Sequence, residues 1–292
     1  MMISNQEVNK GKSKFDDIYN VDDPVSYYES LCLQKEYELP ELAKPYFTTI
    51  IDAYLKYQPV TPLKILDLGC SYGINAAILK FNKTINELYQ HYTSSSRLEL
   101  TKTLRRDLDY HWLHQSSFDK KLQLLGLDIS KAAIDYSVES QLLDVGICAD
   151  LENQPLSKEH YSKLRDLNLL ISTGCVGYIT EVTFDKILAA VGNPGQLWGG
   201  VFVLRVFDFS KFNGVLDKYH LVPIKTAVTI KQRKFSSVSE KKHMIELIEQ
   251  QGLSAELEKV SDYLLAELFL IVPRDILETT AVETLLSDLK LT

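Results

Sequence analysis

The stretch LDLGCSYGINAA, from Leu66 to Ala77, joins an apolar run to a helical run through a short loop framed by glycines. The residues LKILDL, from Leu63 to Leu68, predict a buried strand, and the residues after Gly73 predict a helix. Asp67 stands just before the first glycine. The pattern indicates either a nucleotide-type cofactor loop or a tight turn between a strand and a helix.

The whole chain sets limits on the class of protein. Its 292 residues, 45% of them hydrophobic, suffice for one large α/β domain. The net charge of -7 disfavours nucleic acid as a partner, because that binding depends on Lys and Arg. The densest apolar stretch, 263–272, is too short to span a bilayer. We therefore expect a cytoplasmic protein with no membrane partner.

No metal site is expected, because the four cysteines have no metal-ligand spacing: Cys32, Cys70, Cys148 and Cys175.

Apolar runs alternate with helical runs along most of the chain. This order predicts an α/β fold with a doubly wound, mostly parallel, Rossmann-like sheet. Two further strands near the C-terminus predict an antiparallel edge. The predicted strands are 63–68, 122–128, 145–150, 167–173, 201–207, 226–235 and 263–272.

The predicted organisation is a flexible tail, residues 1–14, followed by one domain over 15–292. Within the domain we expect an N-terminal helical cap (15–60), a core (61–210), and C-terminal edge strands and helices (211–292). The polar segment 83–121 is too long for an ordinary connection and is interpreted as an insertion. It is either surface decoration or a homodimer contact, or else a lid over the active site.

The chemistry of the opening loop favours one class of ligand. The dinucleotide fingerprint G-x-G-x-x-G needs a middle glycine for the pyrophosphate, but here only Gly69 and Gly73 flank three other residues. Both glycines are expected to let a ligand approach the backbone. Asp67 is an anion, which suits an ammonium-bearing ligand and repels a pyrophosphate. An NAD-dependent oxidoreductase is therefore the disfavoured alternative.

At this point the sequence resembles a known family, the class I S-adenosylmethionine-dependent methyltransferases of the small-molecule type. The family's first motif is an apolar strand, an acid and Gly-x-Gly-x-Gly, which here is 67–73 with Ser71 at the usual middle glycine. The resemblance covers roughly 64–207. It implies S-adenosyl-L-methionine as the cofactor and S-adenosyl-L-homocysteine as the product.

The resemblance also implies residue roles. Asp128, after the second strand, would bind the ribose hydroxyls, and Asp150, after the third, would accept from the adenine amino group. Ile129 and Leu151 would pack against the adenine, and the end of the fourth strand would lie under the methionine part. The implied cofactor site is Asp67, Gly69, Cys70, Ser71, Gly73, Asp128, Ile129, Asp150, Leu151, Ser172, Thr173 and Gly174.

Each of the three acids also has an ordinary structural interpretation. Asp67 is also explained as an acid that approaches a helix. Asp128 is also explained as an N-cap, although Ser130 is the better candidate for that role. Asp150 fits common turn chemistry. For all three, ligand contact is the favoured interpretation.

No residue is clearly assigned to catalysis. Tyr178, Glu181, His220 and His243 are candidates for a general base. Arg205, placed on the predicted fifth strand, either binds a substrate carboxylate or forms a structural salt bridge. The catalytic candidates retained are Tyr178, Glu181 and Arg205.

Three tyrosines of the predicted cap have two interpretations. Tyr19, Tyr27 and Tyr28 either close over the cofactor or substrate, or simply pack as helix residues.

The sequence thus predicts a methyltransferase that acts on an oxygen (carboxylate or hydroxyl) or nitrogen of a small-molecule or peptide-like natural product. Besides the oxidoreductase, a methyltransferase-like binding module without activity remains an alternative, because Ser71 departs from the family motif.

Overall fold

The computed structural model describes residues 16–34, 36–115 and 118–291, and within them seven strands form one sheet. The strand order is β3-β2-β1-β4-β5-β7-β6, with β1 to β5 parallel and β7 antiparallel to both of its neighbours. The strands are β1 Leu63–Leu68, β2 Leu122–Asp128, β3 Val145–Cys148, β4 Leu169–Thr173, β5 Trp198–Leu204, β6 Leu221–Lys234 and β7 Tyr263–Pro273.

Helices cover both faces of this sheet. They are α1 Asp16–Tyr19, α2 Val25–Tyr27, α3 Leu39–Tyr57, α4 Ile74–Leu79, α5 Ile85–Tyr92, α6 Ser95–Leu98, α7 Lys102–His114, α8 Lys131–Glu139, α9 Lys158–Leu164, α10 Glu181–Ala190, α11 Asn213–Lys218, α12 Val238–Gln250, α13 Glu256–Val260, α14 Arg274–Thr279 and α15 Val282–Asp288. A π-helical turn, Tyr28–Leu33, continues α2, and two short 3-10 helices are Pro194–Gln196 and Phe209–Phe212. The predicted tail, residues 1–14, lies outside the described residues.

Two apolar layers hold the helices to the sheet. One contains residues of α2, α3, α4 and α8, and the other contains residues of α9, α10, α11 and α12. Because each face of the sheet buries its own set of helices, the fold is doubly wound, and the predicted fold class is confirmed. The antiparallel pairing of the last two strands at one edge is also confirmed.

The fifth strand lies three residues earlier than the sequence predicted. It runs over Trp198–Leu204 rather than 201–207, so the prediction that Arg205 lies on this strand was wrong. The pair Gly199 and Gly200 comes directly before the predicted strand. In the structure both glycines are strand residues, and a Cβ at Gly200 would meet Ile50 of α3 at 2.8 Å. The strand needs glycine there because the helix packs directly on its backbone.

The sixth strand is longer than predicted and begins at Leu221 rather than at 226. Pro223 lies inside it, although proline is disfavoured within a sheet. β6 is an edge strand, where the missing N–H of proline is tolerated because one side of the strand has no ladder partner.

Helices α5 to α7 occupy the segment predicted as an insertion, and a buried ion pair links them to the N-terminal region. Arg97 is fully buried and forms two hydrogen bonds with Asp109, at 2.7 and 2.8 Å, and two with Asp23, both at 3.0 Å. Asp109 also accepts from Tyr136 of α8 at 3.0 Å. One guanidinium therefore joins the insertion, the core and the segment before α2.

Removing the carboxylate of Asp109 is expected to destabilise the protein strongly. Asp109→Ala leaves the buried Arg97 without one of its two carboxylate partners, and breaking such a pair costs about 3–5 kcal/mol of the free energy of unfolding. Asp166→Ala is the control, since Asp166 pairs with Lys64 at an exposed position, and such pairs contribute less than about 1 kcal/mol. Urea denaturation measures both. Equal losses would contradict a structural role for the Arg97 network.

Candidate functional site

A cleft of about 880 Å³ lies at the carboxyl ends of the first four strands. In open parallel sheets this edge is where ligands bind, because loops and helix N-termini converge there. The wall comes from four sources: the loops after β1 to β4, the N-terminal segment, the end of β5 and the end of β6. Its residues include Tyr19, Tyr27, Leu31, Tyr37, Gly69, Cys70, Ser71, Asp128, Ile129, Asp150, Leu151, Glu152, Thr173, Gly174, Cys175, Tyr178, Ile179, Leu204, Gln232 and Arg233.

The loop between β1 and α4 turns through left-handed backbone conformations. Gly69, Ser71 and Gly73 have φ of 74°, 47° and 76°. A Cβ on Gly69 would overlap the Cβ of Cys175, which comes from the loop after β4. The left-handed backbone and the contact with Cys175 are enough to explain why residue 69 is a glycine. The expected approach of a ligand to Gly69 is not needed for that explanation. Gly73 forms the N-cap of α4 and does not line the cleft.

Asp128 lies in the cleft wall and organises the loop opposite it. Its carboxylate accepts from the backbone N–H of Ser71 at 2.8 Å and from that of Ser130 at 2.9 Å. Burial raises the pKa of this carboxyl, and the two N–H groups oppose the shift. Ser130, and not Asp128, caps α8, since its hydroxyl accepts from the N–H of Ala133 at 3.2 Å. The N-cap alternative for Asp128 is thereby removed.

Asp67 lies beneath the floor of the cleft. It is fully buried, one oxygen accepts from the Asn75 amide at 2.9 Å, and the other has no partner among the described residues. Asn75 in turn donates to the Thr173 hydroxyl at 3.0 Å. Burial raises the pKa of the Asp67 carboxyl to about 7. The structure does not bring Asp67 to the described cleft wall, so a direct contact with a ligand is not seen.

The residues after β3 and β4 divide into wall and floor. Asp150, Leu151, Thr173 and Gly174 line the cleft, as does Ile129, whose side chain is 68% exposed at the mouth. Ser172 is different. It is fully buried, and its hydroxyl donates to the Leu68 carbonyl at 3.0 Å, which ties β4 to β1 beneath the cleft.

The catalytic candidates are dispersed. Tyr178 lines the cleft, whereas Glu181 is exposed on the first turn of α10 and does not. Arg205 donates to Glu258 at 2.5 Å and to Glu267 at 3.0 Å, so it forms the structural salt bridge that the sequence left as an alternative. His220 and His243 are absent from the cleft wall.

Two observations concern metals and membranes. The described ranges contain no group of three or more His, Cys, Asp or Glu side chains placed to hold a metal ion. Within the same ranges, no helix has the length and apolar character that crossing a bilayer requires.

Sequence reasoning missed Glu152, Gln232 and Arg233. Glu152 is held by the Thr180 hydroxyl at 2.8 Å and the Thr183 hydroxyl at 2.5 Å, so it positions the loop before α10. Gln232 and Arg233 are consecutive buried residues of β6, where simple alternation predicts one inward and one outward side chain. Nothing in the polar run KQRK, residues 231–234, indicates this departure from alternation.

The pKa of Asp67 predicts a pH dependence of stability. The reference pKa of Asp is about 3.9, and in the folded protein it is about 7. Between these values the folded state binds more protons than the unfolded chain, so the free energy of unfolding falls as pH rises. Asp67→Asn removes this contribution. Between about pH 4 and pH 7.5, the free energy of unfolding of the variant should therefore fall by about 4 kcal/mol less than that of the parent.

Urea denaturation at a series of pH values measures the effect. Asp166→Asn, at an exposed position, is the control and should follow the parent curve. Parallel curves for the parent and Asp67→Asn would show that Asp67 is not the group that titrates.

The left-handed conformation of Ser71 predicts the effect of restoring the glycine usual in the motif. A residue with a Cβ pays about 1–2 kcal/mol there, part of which glycine loses to chain entropy. Ser71→Gly should therefore be about 0.5–1 kcal/mol more stable than Ser71→Ala, which keeps the Cβ and removes only the hydroxyl. If Ser71→Gly and Ser71→Ala unfolded at the same midpoint temperature, the left-handed conformation at residue 71 would not be strained.

No protein-family model and no curated protein matches the chain. Among solved structures, it is similar to the plantazolicin methyltransferase BpumL in complex with S-adenosylhomocysteine (16% identity, 92% of this chain and 95% of that chain covered, TM-score 0.46). It is also similar to magnesium protoporphyrin IX methyltransferase from Synechocystis, with bound S-adenosylmethionine (9% identity, 93% of this chain and 98% of that chain covered, TM-score 0.39). A third similar structure is a TehB-like S-adenosylmethionine-dependent methyltransferase from Corynebacterium glutamicum (14% identity, 79% of this chain and 96% of that chain covered, TM-score 0.37).

Proposed function

We propose that the protein transfers a methyl group from S-adenosyl-L-methionine to an oxygen or nitrogen of a small-molecule or peptide-like natural product. The observation that carries this proposal is the charge of the cofactor end of the cleft. Asp128 ends β2 and Asp150 follows β3, and both carboxylates lie in the wall. A region of this sign attracts a ligand that carries sulfonium and ammonium groups.

The same charge argues against NAD. A pyrophosphate is normally held by free backbone N–H groups of the glycine loop. Here the N–H of Ser71 is already bound to the Asp128 carboxylate at 2.8 Å. A dianionic ligand would have to displace that carboxylate and lie beside it, which like-charge repulsion disfavours.

The wall residues fit the groups of S-adenosyl-L-methionine. Asp128 would accept from the ribose hydroxyls, Asp150 from the adenine amino group, and the exposed Ile129 would pack on the adenine ring. Thr173 and Gly174 would lie along the methionine part. The volume of about 880 Å³ lies at the upper end of the range of roughly 300–1,000 Å³ for ligand pockets, so an acceptor fits beside the cofactor.

When bound, the cofactor supplies an electrophilic methyl group on a sulfonium. The protein must then orient the acceptor in line with it and keep water out. The N-terminal segment supplies that cover. The Tyr72 hydroxyl of the cofactor loop donates to the Val21 carbonyl at 2.8 Å, and the Ser130 hydroxyl donates to the Tyr19 carbonyl at 2.5 Å. Both bonds hold the segment of Tyr19 against the cleft, which supports the covering role for this tyrosine.

A homodimer and the absence of a nucleic-acid partner also remain proposals.

Calorimetric titration with S-adenosyl-L-homocysteine, with NAD in a parallel experiment, tests the proposal. We expect micromolar binding of the homocysteine and none of NAD. Asp128→Asn keeps the shape of the side chain but removes its charge, and the affinity should fall by about tenfold or more, since a hydrogen bond to a charged group contributes about 1.5–3 kcal/mol. Asp166→Asn, remote from the cleft, should bind as the parent does.

Binding of NAD, or of neither ligand, would contradict the proposal. Binding of the homocysteine without methyl transfer to any acceptor in a mass-spectrometric screen would instead favour the binding module.

A further inference from the structure

The side chain of Gln232 lines the cleft at an irregularity in β6. Lys231 pairs with Leu265 and Arg233 pairs with Leu264, so Gln232 is an extra residue opposite a single step of β7. This is a β-bulge, a feature that is common next to functional sites. Gln232 and Arg233 are both buried at the bulge, and both line the cleft.

The amide of Gln232 faces the cleft and is not paired with a described protein group. The residue is 9% exposed, and its side chain makes no hydrogen bond with any described residue, although its backbone carbonyl accepts from the N–H of Glu38 at 3.2 Å. Such a group in a cleft wall is explained by a ligand that completes its hydrogen bonds.

The position of the amide places that ligand on the acceptor side of the cleft. Its nitrogen lies so close to Gly174 that a Cβ on this glycine would overlap it. Gly174 is the residue expected beneath the methionine part of the cofactor, where methyl transfer takes place. This step rests on the proposed function.

Among the described residues of the cleft wall there are several apolar side chains and no cation without an anionic partner. Leu31, Ile179 and Leu204 line the cleft together with the ring of Tyr27. Arg233 is the cationic residue of the described wall, but its guanidinium donates to both oxygens of Glu240, at 2.7 and 3.1 Å. The remaining charged residues of that wall are Asp128, Asp150 and Glu152.

We infer that the acceptor binds as an uncharged molecule with an apolar body, hydrogen-bonded by the side-chain amide of Gln232, and that carboxylates are rejected. A carboxylate here would lose its hydration without a compensating cation. An amide or hydroxyl would instead satisfy Gln232, which both donates and accepts. Of the acceptors open from the sequence, a neutral hydroxyl or amine is therefore favoured over a carboxylate.

Two probes of nearly equal shape test the inference: phenylacetamide, which is neutral, and phenylacetate, which is an anion. Each is titrated into the protein saturated with S-adenosyl-L-homocysteine, with binding followed by saturation-transfer NMR. We expect phenylacetamide to bind about tenfold tighter or more. Gln232→Leu should weaken phenylacetamide by about tenfold and leave the affinity for the homocysteine unchanged. Thr229→Leu, at an exposed position of the same strand, is the matched control.

The outcomes separate this inference from the proposed function. If the homocysteine itself does not bind, the proposed function fails and the inference fails with it. If the homocysteine binds but phenylacetate binds as well as phenylacetamide, or neither probe binds, the inference alone is overturned. An unchanged affinity for phenylacetamide in Gln232→Leu, with the homocysteine still bound, also overturns it.

Discussion

The hydrogen bond from the Ser71 N–H to the Asp128 carboxylate is the interaction on which the cleft depends. It joins the loop after β1 to the end of β2 at 2.8 Å, and the N–H of Gly69 reinforces it by donating to the Leu127 carbonyl at 2.8 Å. To reach Asp128, Ser71 takes a left-handed conformation that costs a residue with a Cβ about 1–2 kcal/mol. The strain is stored where two neighbouring strands present their ends, which is also where a ligand binds in this class of sheet.

Much of the sheet was predictable because its strands are short apolar runs bounded by turn residues. The bounds of β1 and β2 match the sequence prediction residue for residue. The misplaced strands fail for one physical reason. Gly199, Gly200 and Pro223 have low intrinsic strand propensity, but α3 packs on the bare backbone of Gly200 and the sheet edge tolerates the proline. Tertiary packing, which a single sequence does not display, decided these positions.

The site was predictable in outline but not in depth. Sequence places a residue at the end of a strand, yet whether its side chain faces the cleft or the layer beneath depends on register. Asp128 and Asp150 therefore reach the wall, whereas Asp67 and Ser172 bind other parts of the sheet beneath it. Gln232 was missed because it belongs to β6, far along the chain from the motif loops, and lies at a bulge. A bulge has no signature that distinguishes it from an ordinary alternating strand.

The segment between α4 and β2 is better explained as a support for the N-terminal segment than as a lid. Its described residues do not line the cleft. Through Arg97, and through Arg105 at 3.2 Å, it holds Asp23, four residues after Tyr19 of the cleft wall. A buried pair of this kind contributes little net stability against an apolar replacement, but it fixes one geometry because each charge must find its partner. This fixed geometry lies at Asp23, next to the N-terminal segment that covers the cleft. The segment between α4 and β2 therefore helps to position part of the cleft wall.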